Sequence, residues 1–86
     1  MYSPGVVRIE MEKAGMKLSH DQFMKLQKAH QEYQTKINES TAVGNETQST
    51  RYYQSYNSEV ARILNPKQLE KFNKMQREGI NAKPKN

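Results

Sequence analysis

Two six-residue stretches of the sequence share one pattern: LSHDQF at residues 18–23 and LNPKQL at residues 64–69. Each has a leucine, a short polar residue, two variable positions, a glutamine and an apolar residue. Ser19 and Asn65 are good N-cap residues, because a side-chain oxygen there accepts a hydrogen bond from an amide of the first helical turn. Gln22 and Gln68 stand three residues later, where their side chains can reach back to the N-cap amide and complete a capping box. The pattern therefore predicts one helix start at each site.

The apolar residues at the ends of each stretch have the spacing of a hydrophobic staple, in which the residue before the N-cap packs against the fourth helical residue. Leu18 and Phe23 form the first pair, and Leu64 and Leu69 form the second. Pro66 takes the first helical position, where a proline loses no hydrogen bond. Because a proline disfavours helical geometry in the residue before it, we expect a sharp bend between two helices here. Starting the helices accounts for these residues without any ligand.

Apolar residues that recur at spacings of three and four predict four helices, at about residues 6–15, 19–39, 47–64 and 66–78. The stripe of the second helix comprises Phe23, Leu26, His30, Tyr33 and Ile37. The stripe of the third comprises Tyr53, Tyr56, Val60 and Ile63. No segment shows the sustained alternation that indicates a strand. We therefore predict an all-α fold, a small bent helical hairpin or bundle.

The composition limits the size of the core. The chain has 86 residues, of which 34% are hydrophobic, a mean hydropathy of -1.09 and no cysteine. We expect one helical domain at residues 6–79, between a disordered start at 1–5 and a disordered basic tail at 80–86. Small domains with thin cores are stabilised by disulfides, metals or association, and disulfides are excluded here. We therefore expect an open homodimer that pairs through narrow helix stripes. We also expect no membrane span, because the sequence has no apolar stretch of the required length.

The positive charge is concentrated at one end of the chain. Residues 1–61 hold seven basic and seven acidic side chains, whereas residues 62–86 hold seven basic and two acidic ones, which gives the net +5. The last predicted helix carries a basic face made of Lys67, Lys71, Lys74 and Arg77. Such a face can attract an acidic protein, an anionic membrane or nucleic acid, although a charge run is often only a solvated surface.

The sequence lacks the patterns of common catalytic sites. It contains no HExxH, no glycine-rich phosphate loop and no recognisable nucleophile–base set. We therefore predict that the protein is not an enzyme and has no cofactor. His20 and His30 are about 15 Å apart along one predicted helix, so they cannot share a metal ion. His20 and Met24 have one-turn spacing and could contact a soft ion, but we expect no metal site.

The paired motifs, LSHDQ at residues 18–22 and LNPKQ at residues 64–68, resemble the LTxxQ motifs of the Spy/CpxP-like periplasmic family. Ser19 and Asn65 stand where that family has threonine, and the resemblance covers about residues 6–78. It implies a helical, cradle-shaped homodimer that acts either as an ATP-independent chaperone or as an envelope-stress accessory. The implied partners are unfolded or acidic protein segments or a sensor kinase domain. Because Met1–Val7 is not a signal peptide, the implied periplasmic location requires one upstream that has been removed.

The sequence is also compatible with two other functions. The first is a cytosolic nucleic-acid-binding bundle that uses the basic face of the last helix. We favour it less, because the rest of the chain is neutral and shows no helix-turn-helix spacing. The second is a structural or regulatory interaction module, which the sequence does not separate from a chaperone.

Overall fold

The computed structural model describes residues 2–79, which form four α-helices and, over that range, no strand. The helices are α1 (Pro4–Lys13), α2 (His20–Ala42), α3 (Glu46–Ile63) and α4 (Pro66–Glu78). The predicted all-α class is thus confirmed, and the bounds of α4 agree with those predicted. No helix within residues 2–79 is long and apolar enough to cross a membrane.

Helices α2 and α3 form an antiparallel hairpin, and α1 packs against both α2 and α4. The molecule is flat, with extents of 40 × 36 × 19 Å. Its shortest dimension is close to two helix diameters, each about 10 Å. The starts of α2 and α4 lie near each other, because the side chains of Gln22 and Gln68 hydrogen-bond there.

A single core receives side chains from all four helices. Its largest fully buried members are Tyr56, Phe72, Met11, Leu26, Val7 and Val60. The stripes predicted from the sequence therefore face one another inside one chain. Because the protomer covers these side chains itself, the stripes do not need a second chain to bury them. Dimerisation remains a prediction. A dimer would have to pair through surfaces other than these stripes.

Helix α1 starts at Pro4, two residues earlier than predicted, so Pro4 and Gly5 of the expected disordered start belong to the helix. Ser3 is the N-cap, its side chain accepts from Val6, and Pro4 takes the first position of the helix. The Tyr2 hydroxyl donates to the Met75 carbonyl oxygen at 3.2 Å and ties this end of the chain to α4. The predicted basic tail at 80–86 lies outside the described residues.

The connection between the second and third helices, predicted at residues 40–46, is shorter in the structure, because α2 runs three residues further than expected, to Ala42. Ser40 is buried, donates to the Ile37 carbonyl oxygen and hydrogen-bonds the Ser49 hydroxyl of α3 at 2.6 Å. These bonds satisfy polar groups that the last turn of α2 would otherwise bury unpaired. The turn is made at Gly44, whose φ of 73° suits a glycine, and Asn45 caps α3.

The aromatic residues of the hairpin divide between core and surface. Tyr56 is 1% exposed, and the rings of His30 and Tyr33 meet it edge-on at centroid distances of 6.2 and 6.1 Å. His30 is half-buried within the α2 stripe, as predicted. Tyr53 was predicted to lie in the α3 stripe but is 40% exposed. Since α3 is covered mainly by α2, its inward face is narrower than the apolar pattern implies.

Candidate functional site

Both predicted capping boxes are present. The Gln22 amide donates to Ser19 Oγ at 3.0 Å, and Gln22 Oε1 accepts from the Ser19 amide at 2.9 Å. The Gln68 amide donates to Asn65 Oδ1 at 2.9 Å, and Gln68 Oε1 accepts from the Asn65 amide at 3.0 Å. Each box satisfies two amide groups that a helix start leaves without a partner. The two helix starts therefore have nearly the same local geometry.

The two boxes are joined to each other through their glutamines. Gln22 Nε2 donates to Gln68 Oε1 at 2.8 Å, and Gln68 Nε2 donates to Gln22 Oε1 at 3.3 Å. Each amide oxygen thus accepts one bond from its own N-cap amide and one from the other glutamine. We refer to Gln22 and Gln68 together as the glutamine pair. It fixes the start of α2 against the start of α4.

The backbone ahead of each motif completes this network. Gln22 Nε2 also donates to the Ile63 carbonyl oxygen at 3.2 Å. Gln68 Nε2 also lies 3.2 and 3.5 Å from the carbonyl oxygens of Met16 and Lys17, so one of its two N–H groups is shared between two acceptors. Ile63 and Lys17 are the residues that directly precede the two motif leucines, so the arrangement is approximately two-fold symmetric. Within residues 2–79, no buried side-chain nitrogen or oxygen lacks a hydrogen-bond partner.

The staple residues line the inner side of the same junction. Leu18 and Leu64 are 4% and 6% exposed and belong to the core. Phe23 and Leu69 are partly buried and pack against that core. Pro66 is exposed at the first position of α4. The junction therefore combines a buried apolar side with a hydrogen-bonded rim.

Three of the four predicted basic residues surround a shallow cleft on α4. Lys67, Lys71 and Lys74 line a cleft of about 350 Å³ together with Met16 and Glu70. We call this the lysine cleft. Met16 belongs to the segment between α1 and α2, so this segment forms one side of the lysine cleft.

The remaining predicted basic residue, Arg77, is exposed and is not part of that lining. The ion pairs of the described region join Lys13–Glu10, Lys25–Asp21, Lys36–Glu32 and Arg62–Glu59. None of these ion pairs includes a residue of the predicted basic face. Its charge therefore faces the surroundings of the protein.

A larger cleft of about 620 Å³ lies on the other side of the same segment, and we call it the junction cleft. Its lining consists of Arg8, Lys17, Leu18, Ser19, His20, Gln22, Phe23, Asn65 and Gln68. The Arg8 guanidinium lies 4.5 Å from the centre of the Phe23 ring, a cation–π contact that orients it along the cleft wall. Arg8, Lys17 and Met16 were not among the predicted site residues.

His20 and Met24, the pair considered for a soft-ion contact, lie at the start of α2. His20 is exposed and Met24 is 48% exposed, and the predicted spacing of one helical turn is present. Across residues 2–79, no group of three or more His, Cys, Asp or Glu side chains could hold a metal ion.

Burial changes the protonation of two residues in the hairpin. It raises the pKa of Tyr56 to about 12, because the phenolate would be formed away from water. Burial also lowers the pKa of His30, whose charged form is disfavoured beside the core. Both groups belong to the interior of the hairpin and lie away from the two clefts.

Comparison of the chain with protein-family models, curated proteins and solved structures finds no match. The resemblance to the Spy/CpxP-like family therefore rests on the two motifs and stays a prediction.

Proposed function

We propose that the chain is an extracytoplasmic helical protein-binding module of the Spy/CpxP-like type, acting as an ATP-independent chaperone or an envelope-stress accessory. The observation that supports this proposal is the lysine cleft. Three ammonium groups, none of them paired with a carboxylate of residues 2–79, surround one methionine beside the junction of two helix starts. The proposed partners are unfolded or acidic protein segments, including an acidic stretch of a sensor kinase domain.

Capture in this proposal begins with charge. The basic face of α4 attracts acidic segments at a distance and raises the rate of encounter. Contact then buries the methylene stems of the lysines and the side chain of Met16 against apolar groups of the client. A methionine adapts to clients of different shape, because its side chain is unbranched and polarisable. Both interactions are weak and reversible, so release requires no nucleotide hydrolysis.

Exposed apolar side chains add to the surface available for binding. Ile9 is 51% exposed on α1 and Met24 is 48% exposed on α2. These residues suit a second chain as well as a client, in agreement with the proposed homodimer. Sedimentation equilibrium of the purified protein tests this part of the proposal. A mass of one protomer at all concentrations up to about 1 mM, the weak end of the affinity scale, would exclude the dimer.

The experiment that tests the function measures the aggregation of a chemically denatured protein after dilution from guanidinium. The chain is added in stoichiometric amounts, and light scattering is followed at low and high salt. The test variant carries Lys67→Gln, Lys71→Gln and Lys74→Gln. The matched control carries Lys13→Gln, Lys28→Gln and Arg51→Gln, which lowers the net charge equally at exposed positions elsewhere.

We expect the wild type and the control to suppress scattering at low salt and the cleft variant to lose most of this activity. High salt should weaken all three, because it screens exposed charges beyond about 10 Å. Equal suppression by both variants would show that net charge, not the lysine cleft, carries the binding. No suppression by the wild type would refute the chaperone function.

The same lysines would also suit nucleic acid, and a direct titration separates the two functions. Fluorescently labelled duplex and single-stranded DNA are titrated with the protein at about 50 mM salt. Micromolar binding that weakens steeply with salt would support the nucleic-acid alternative. We expect no such binding, because residues 1–61 carry no net charge and show no helix-turn-helix spacing.

A further inference from the structure

We propose that the junction cleft binds the C-terminal carboxylate of a protein segment that is held on the neighbouring lysine cleft. This inference rests on the proposed function and names the end of the client that this site would recognise. Its starting observation is that Arg8, Lys17 and His20 converge on one cleft whose lining includes no acidic residue.

The charge of the junction cleft is available to a ligand. Arg8 and Lys17 form no ion pair with a carboxylate of the described chain. A guanidinium presents two parallel N–H groups that match the two oxygens of a carboxylate. Lys17 lines the same cleft and adds a second positive charge. The cleft therefore offers an anion two cations: the guanidinium of Arg8, which selects a carboxylate by its geometry, and the ammonium of Lys17, which is less selective.

The wall of the junction cleft is prepared for the apolar part of such a ligand. Phe23 is half-buried, and Leu18 is buried at the base. The Phe23 ring also holds the Arg8 guanidinium at 4.5 Å, which reduces the freedom that Arg8 would lose on binding. A volume of about 620 Å³ lies in the usual range of small-ligand sites. A C-terminal residue with an apolar side chain fits both parts of the cleft. Its carboxylate matches the cations, and its side chain matches the apolar wall.

The two clefts border the same short pieces of chain. Met16 lines the lysine cleft while Lys17 lines the junction cleft. On α4, Lys67 lines the first and Gln68 lines the second. Because neighbouring residues line the two clefts, a segment bound along the lysine cleft needs to pass only over this border to place its last residue in the junction cleft. This continuity favours a peptide end over an isolated small anion.

The rigidity of the border comes from the glutamine pair. Gln68 Nε2 holds the carbonyl oxygens of Met16 and Lys17, so the segment that separates the two clefts is fixed to α4. Because this border is already fixed, the protein loses little conformational entropy when a segment binds.

The test compares two forms of one acetylated acidic peptide of about twelve residues that ends in leucine. One form has a free C-terminal carboxylate and the other has a C-terminal amide. Binding to the full chain is measured by titration calorimetry or fluorescence anisotropy. The same titrations are made with Arg8→Gln, and with Lys13→Gln as a matched control on an exposed position of the same helix.

We expect the carboxylate form to bind about tenfold more tightly than the amide form, as is usual for a hydrogen bond to a charged group. Arg8→Gln should abolish this difference and leave the amide form unaffected, whereas Lys13→Gln should keep it. Equal binding of the two forms to the wild type would overturn the carboxylate site but leave the proposed function intact. Failure of both forms to bind would overturn the proposed function and this inference together. Displacement of the peptide by inorganic phosphate at equal concentration would show a general anion site and overturn the peptide-end assignment.

Discussion

The side-chain amides of Gln22 and Gln68, which are 46 positions apart in the chain, hydrogen-bond each other in both directions at 2.8 and 3.3 Å. Each amide also completes the capping box of its own helix. A local device that starts a helix therefore serves a second purpose, because it fixes the angle between α2 and α4. This relationship makes the two motifs one structural unit.

The first prediction concerns how much the glutamine pair contributes to the free energy of unfolding. Gln68→Ala should lower the free energy of unfolding by about 2–3 kcal/mol, because Gln68 is 3% exposed and its loss leaves several buried polar groups unpaired. Gln22→Ala should cost about 1–2 kcal/mol, since Gln22 is less buried. The double variant should lose about 1 kcal/mol less than the sum. Urea denaturation followed by circular dichroism measures all three.

The control for this cycle is Gln31→Ala on the exposed face of α2, which should change stability by no more than about 0.5 kcal/mol. Additive losses in the double variant would mean that the two glutamines stabilise their helices independently.

The second prediction concerns the N-cap at Asn65. Asn65→Ala should cost about 1 kcal/mol, because the Gln68 amide loses its acceptor. Asn65→Ser should retain nearly all the stability, since Ser19 performs the same role at the other helix start. Thermal unfolding of the three proteins gives the comparison. A serine variant as unstable as the alanine variant would show that the amide side chain has a role beyond capping.

Much of the fold follows from local sequence signals. The N-caps at Ser19 and Asn65 and the start of α4 at Pro66 depend on residues within one helical turn, so a pattern in the sequence predicts them. The staple leucines were predicted to be apolar contacts, and both lie in the core.

The remaining features depend on partners that are distant in the sequence. The mutual bond between Gln22 and Gln68 joins two motifs that the pattern treats separately, and the extension of α2 to Ala42 depends on the bond between Ser40 and Ser49. The junction cleft needs Arg8, which lies on another helix from the motif it borders. Only the repetition of the motif could have suggested that its two copies meet.

The third prediction concerns alkaline pH. Burial raises the pKa of Tyr56 from 10.0 to about 12. Between those values the unfolded chain releases this proton and the folded chain keeps it, so the free energy of unfolding falls as the pH rises. Tyr56→Phe should show a smaller fall than the wild type over this range in urea denaturation. A fall in the Tyr56→Phe variant as steep as that of the wild type would contradict the assignment.

The fourth prediction concerns mildly acidic pH. Burial lowers the pKa of His30 below 6.5 in the folded protein. Below pH 6.5 the unfolded chain therefore binds a proton more readily than the folded chain, and stability declines as the pH falls. His30→Gln should flatten this part of the stability profile, whereas Gln31→Ala, at an exposed position of the same helix, should keep the wild-type slope. A steeper slope in the His30 variant would show that the folded protein favours the charged form.

The most direct test of the central claim locates the bound segment by amide NMR. The labelled protein is titrated with the acidic peptide that has a free C-terminus, and backbone shifts are followed. We expect the largest changes at the amides of Met16–Ser19 and Lys67–Lys74, which border the two clefts. Changes centred on the turn between α2 and α3, or no changes at peptide concentrations that saturate the binding titration, would contradict the proposed binding surface.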